Sequence, residues 1–147
     1  MNERFLIINA DDFGLCESMN QAICELFRLG AVTSSSILSP APMAMNACRY
    51  AKEGSFPVGV HWTLFSEWKE ECWMPADKEK RDSSLTVNGL LPADGGAAAK
   101  RAVSGDVTRE LEAQYRFMMD AGCMPDHADS HGGNLYGING RLFFLNA

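Results

Sequence analysis

The chain lacks any arrangement that would pair its cysteines. Cys16, Cys24, Cys48, Cys72 and Cys123 are odd in number, scattered, and never form a CxxC step, which argues against both a disulfide framework and a thiolate zinc site. Buried, inert thiols in a reducing cytoplasm are the expectation. It also has no cluster of Lys and Arg, and its formal net charge is -6. A nucleic-acid-binding surface, which needs basic side chains for the phosphates, is therefore not expected, and acidic substrates fit poorly. No apolar run approaches the roughly 20 residues that span a bilayer, and the N-terminus has no charged-then-apolar signal layout. A protein that neither enters a membrane nor is exported is expected.

What is present is enough for one core. The chain has 147 residues, of which 46% are hydrophobic, within the usual range of a single domain. Residues 4–10 read as a first strand, and Glu17 to Leu29 as a helix with Met19, Ile23, Leu26 and Phe27 on one face and Gly30 at its end. "VTSSSIL" (32–38) is β-rich, 43–52 has helical composition, and "PVGVHWTL" (57–64) reads as a third strand. Alternating strands and helices with short connections predict an α/β fold with a parallel sheet.

Residues 65 to about 104 interrupt the pattern with Pro, Gly, Asp and Lys and no sustained period, as expected of a long irregular loop with a functional role. A helix over 106–121 follows, with Val107, Leu111, Tyr115 and Met118 on one face. "GCMPDHADSH" then leads into a fourth strand carrying His127, Asp129 and His131. The apolar "GRLFFLNA" at the end needs something to pack against. It suggests either a fold that continues further or completion by another copy, and hence a homo-oligomer.

The chemistry gathers in three places. Asp11 and Asp12 follow the apolar Phe5–Ile8 run, His61 lies in the third strand, and His127 and His131 lie at the fourth. In open parallel sheets and (β/α) barrels the carboxyl ends of the strands line the site. Two carboxylates and up to three imidazoles could therefore converge on a divalent metal such as zinc, manganese, iron or cobalt. A carboxylate not bound to metal could take a proton from water. Plainer readings stand beside this one. The aspartates could cap the following helix, and His61 could be a satisfied core residue. The even spacing in "HADSH" by itself selects neither histidine, and Trp62, Trp68 and Trp73 could either pack or stack on a sugar.

"NADDFGLCESMNQAI", "VTSSSILSPAP", "VGVHWTL" and "PDHADSH", in that order, resemble the YdjC-like carbohydrate deacetylases, which include the chitooligosaccharide deacetylases. The resemblance implies a (β/α) barrel-like deacetylase fold and removal of acetyl groups from N-acetylated sugars, with Mg2+ or Zn2+ as cofactor. It implies Asp12, His61 and His127 as metal ligands and Asp11 as general base. His131, Asp129 and Trp62 would touch substrate or support the site. The family is substantially longer, so only the N-terminal part of the barrel is expected here. Its members often follow "DSH" with further histidines, where this chain has "DSHGGNLYG". Two alternatives are a remnant that binds metal or sugar without turnover and a metal-dependent hydrolase of another small substrate.

Overall fold

The computed structural model describes residues 3–136. Its elements run β1 (Asn9–Phe13), α1 (Glu17–Arg28), β2 (Ser34–Ile37), α2 (Ala44–Gly54), β3 (Val58–Trp62), α3 (Gly95–Arg101), α4 (Ser104–Asp120) and β4 (Ala128–Ser130), followed by a 3-10 segment over His131–Tyr136. The four strands are all parallel and stand in chain order, β1-β2-β3-β4. A sheet that adds each strand beside the last, without reversing, follows the arc of a (β/α) barrel rather than a doubly wound sheet. The strands' carboxyl ends therefore share one rim.

Local chemistry sets the turns that shape this rim. Gly14, directly after β1, has φ of 106°, and a Cβ there would come within 2.8 Å of the Ala44 backbone, so only glycine lets β1 meet the start of α2. Asn20 secures the same corner, accepting from Gly14 N at 2.7 Å and donating to Met43 O at 3.2 Å. Helix α1 ends in a Schellman arrangement, with Gly30 N bonding Phe27 O and Ala31 N bonding Leu26 O. Phe13, Ile23, Ile37, Ala47, Val58, Val60 and Met118 form the core between the sheet and α1, α2 and α4.

Three expectations need correcting. The first strand is Asn9–Phe13 rather than 4–10, and the apolar run before it is open, with Phe5 89% and Ile7 78% exposed. Among the described residues β1 pairs only with β2; Ile8 is bonded through its backbone to Thr33 and Ser34, while the side chains before it stay uncovered. The buried face of α4 is Val107, Glu110, Gln114 and Met118, while Tyr115 is exposed. Polar clamps turn the helix this way. Glu110 accepts from the backbone of Ala76 and Asp77, each at 2.9 Å, and Gln114 bonds both Thr63 N (3.0 Å) and Thr63 O (2.6 Å).

The interruption after β3 holds one regular element, α3, which Asp94 caps by accepting from Ala97 N. The rest is irregular but packed, with Leu85, Leu91 and Trp73 buried. Cys24, Cys48 and Cys123 are buried thiols, whereas Cys16 is exposed and Cys72 half-buried, and none is paired. Among the described residues no helix is long and apolar enough to cross a membrane. The expectation about the apolar 140–147 segment lies outside the described residues.

Candidate metal centre

Side chains on the inner face of the sheet form a polar layer, one from each strand. Asn9 of β1, Ser36 of β2, His61 of β3 and Asp129 of β4 are linked by hydrogen bonds. Ser36 Oγ donates to Asp129 Oδ2 at 2.7 Å, and Asn9 Nδ2 donates to the same oxygen at 3.1 Å. His61 and Asp129 are register partners across β3 and β4, and the His61 Nδ1 to Asp129 Oδ1 distance is 2.5 Å. Alternation along the strands puts these residues on one face and the valines of β3 on the other.

Asp12 stands above this layer at the end of β1. Its φ of 64° is a left-handed conformation that Asp tolerates better than most residues. One oxygen, Asp12 Oδ1, lies 3.2 Å from His61 Nε2 and 3.2 Å from His131 Nδ1. His131 sits one residue beyond β4, and its ring meets His61 edge-on, with centroids 5.3 Å apart. Phe65 and Trp73 wall it in, at centroid distances of 4.8 and 6.1 Å. Both rings are buried, at 2% and 5% exposure.

Charge explains why such a cluster is stable. Burial pushes the Asp12 carboxyl up, but the hydrogen bonds and charge of His131 and His61 outweigh it and hold Asp12 well below the usual carboxylate range. Burial pushes His61 down, and its bonds to Asp12 and Asp129 more than reverse this, raising it to about 9. Asp129 is likewise lowered, its bonds to His61 and Ser36 and the nearby histidine charge overcoming burial.

Asp12, His61 and His131 each place a ligand atom within 4.8 Å of the others, and Asp11, His61 and Asp129 do the same. A carboxylate and two imidazoles suit zinc and related first-row ions, at bond lengths of about 2.0–2.2 Å. Ligand atoms held at such lengths in tetrahedral or octahedral array stand about 2.8–3.6 Å apart, a range that contains the two 3.2 Å spacings at Asp12. The donor set fits a divalent ion.

Of the residues singled out by sequence, Asp12 and His61 meet as expected. Asp11 is exposed, held by a 2.7 Å bond from Asn9 Nδ2, with a carboxylate oxygen within 4.8 Å of ligand atoms of His61 and Asp129. Neither aspartate caps α1, whose first residue has no side-chain cap. His127 is not brought to the cluster. It precedes β4, two positions behind Asp129 on the same face and so about 7 Å back along the strand. Its ring lies against Gly59, where a Cβ would come within 2.5 Å of it, and its Nδ1 pairs with Asp126 Oδ1. His131 occupies the place expected of His127. Trp62 also differs from expectation. As the neighbour of His61 it faces the helices, packing with the core and lining an apolar groove with Leu111 and Tyr115. Asn9, Ser36 and Glu67 were not picked out. For the first two the signal was the density of small polar residues in the strands themselves, NADDF in β1 and SSSI in β2.

A family model described as "YdjC-like protein" matches residues 5–136. The chain belongs to the YdjC-like family. It is 38% identical over 130 residues to a carbohydrate deacetylase of Geobacillus stearothermophilus, covering 87% of this chain and 49% of that protein. It is also 38% identical over 130 residues to a chitooligosaccharide deacetylase of Proteus mirabilis, covering 86% of this chain and 48% of the relative. A crystal structure of a candidate cellobiose-phosphate cleavage protein from Enterococcus faecalis V583 superposes with a TM-score of 0.78 at 30% identity, over 92% of this chain and 51% of that one. The chain thus spans about half the length of the relatives it matches.

Proposed function

We propose that this chain carries the metal-binding part of a carbohydrate N-deacetylase site, acting on N-acetylated sugars of the chitooligosaccharide type. The observation that carries the reading is the convergence of His61 and His131 on one carboxylate oxygen, Asp12 Oδ1. His61 has a carboxylate oxygen at each ring nitrogen, and His131 has Asp12 at one nitrogen and Glu67 at the other. A neutral imidazole has a single N–H, so a cation beside Asp12 would take the place of the proton that Asp12 and Asp129 otherwise hold on His61. Asp12 Oδ1, His61 Nε2 and His131 Nδ1 would hold it.

A divalent ion there would polarise an acyl oxygen and make a water acidic enough to act as nucleophile at neutral pH. The protein's own residues do the rest. Asp129, fixed by Ser36 and Asn9, holds His61 in one orientation. Asp11, exposed and with a carboxylate oxygen within 4.8 Å of His61, takes the water's proton on its carboxylate. The water oxygen joins the acyl carbon, the C–N bond breaks, and the nitrogen leaves as an amine after receiving a proton. Acetate and a free amino sugar are the products.

A second reading has its own support. Because the chain spans about half of its relatives, it could hold the ion without completing the reaction. Metal content and acetate release from N-acetylated chitooligosaccharides, measured on the same preparation, test both. One bound ion with release supports the deacetylase, one bound ion without release supports the incomplete site, and no bound ion contradicts both readings.

A further inference from the structure

Glu67 lies in the irregular stretch after β3, outside every motif of the sequence, yet its Oε2 is 3.0 Å from His131 Nε2. The contact is close but not aligned as a hydrogen bond, so Nε2 is buried with no aligned hydrogen-bond partner. A buried N–H left in that condition is destabilising, and among the described residues Glu67 is the acid in reach of it. The Glu67 side chain is 39% exposed, which leaves the carboxylate room to swing into line.

The tautomer decides what this means. His131 Nδ1 faces Asp12, so Nδ1 can bind a cation only if the ring proton sits on Nε2. A proton on Nδ1 alone would instead point the Nε2 lone pair at a carboxylate oxygen 3.0 Å away, which is repulsive. We propose that Glu67 is a positioning residue for the metal centre, its carboxylate taking the Nε2–H of His131 and thereby presenting Nδ1 beside Asp12.

The pairing repeats on His131 what Asp129 does on His61. Each imidazole turns one nitrogen to Asp12 and the other to a second carboxylate, an arrangement that fixes ring orientation and raises ligand basicity. The place of Glu67 is itself fixed by its neighbour. Ser66 is fully buried, donating from N to Pro92 O and from Oγ to Leu91 O, and accepting from Trp73 N. The irregular stretch thus reaches the metal centre through the Glu67 carboxylate as well as through the rings of Phe65 and Trp73.

The inference rests on the metal reading above, and the test separates the two. Zn2+ and Co2+ affinities are measured on the full 147-residue chain by competition with a chromophoric chelator, and the visible absorption of the Co2+ form is recorded. Glu67→Ala should weaken binding by about 10–100-fold and shift the Co2+ bands. Glu67→Gln, whose amide oxygen can accept the same N–H, should recover most of the affinity. Glu70→Ala, which removes a nearby exposed acid, should stay within about twofold, showing that the effect is not general charge. Glu67→Ala binding both ions as wild type does, with an unchanged spectrum, overturns the role of Glu67 alone. Wild-type protein that binds no stoichiometric ion overturns the metal reading beneath it.

Discussion

His61 and Asp129 face each other across β3 and β4, with Nδ1 and Oδ1 2.5 Å apart, while the other nitrogen of His61 points to Asp12. One buried imidazole thus joins the two acids, and its protonation is coupled to both.

That coupling predicts a pH dependence of stability. His61 is raised from 6.5 to about 9 in the folded chain. A histidine raised by folding binds its proton more tightly in the native state, so its contribution is fully present below about 6.5 and is lost as pH rises through about 9. In the presence of EDTA, Tm should fall between pH 6.5 and 9.5. The buried thiols Cys24 and Cys48, also raised, act with the same sign at the upper end, so the comparison is with His61→Gln, which should flatten the slope. With saturating Zn2+ the dependence should reverse, because the ion replaces the proton. Equal slopes for the wild type and the variant in EDTA would contradict the assignment.

Asp11 should be separable from metal binding. Asp11→Asn keeps the 2.7 Å neighbour Asn9 and leaves Asp12, His61 and His131 in place. Metal affinity should stay within about threefold, while acetate release, where it is measurable, should drop by about 10²–10⁴-fold as expected for loss of a general base. Parallel metal titration and acetate assays check this, and full activity in the variant would remove Asp11 from the mechanism.

Gln114 should matter for stability more than its distance from the chemistry suggests. It is fully buried and bonds both backbone groups of Thr63, whose hydroxyl in turn donates to His61 O at 2.7 Å. Gln114→Ala would orphan a buried N–H and a buried C=O, at about 1–3 kcal/mol each. Urea unfolding should show a loss of about 2–6 kcal/mol, and a loss below about 1 kcal/mol would mean that water replaces the clamp.

Much of this was legible in the residues, and the exceptions have physical causes. The alternation of strands and helices and the meeting of Asp12 with His61 follow from hydrophobic period and from the rule that strand ends line the site. Phe5–Ile8 departs from the apolar pattern because such a run is core only where a partner covers it, and among the described residues β1 has a neighbour on one side alone. His127 and His131 share an even spacing that cannot choose between them. The choice depends on where a strand of three residues, Ala128–Ser130, begins and ends. His127 stands before it and His131 just past its carboxyl end. Trp62 could have been placed from alternation, since the residue after an inward-facing histidine must face outward. Glu67 could not, because an irregular stretch has no period from which to predict a direction.

The most direct test is metal content in three proteins: wild type, His131→Ala and His127→Ala. Each is loaded with Zn2+, dialysed and analysed for bound ion. Geometry centred on Asp12, His61 and His131 predicts about one ion in the wild type, near-complete loss in His131→Ala, and retention in His127→Ala. Loss in His127→Ala with retention in His131→Ala would contradict the account and return the third ligand to His127.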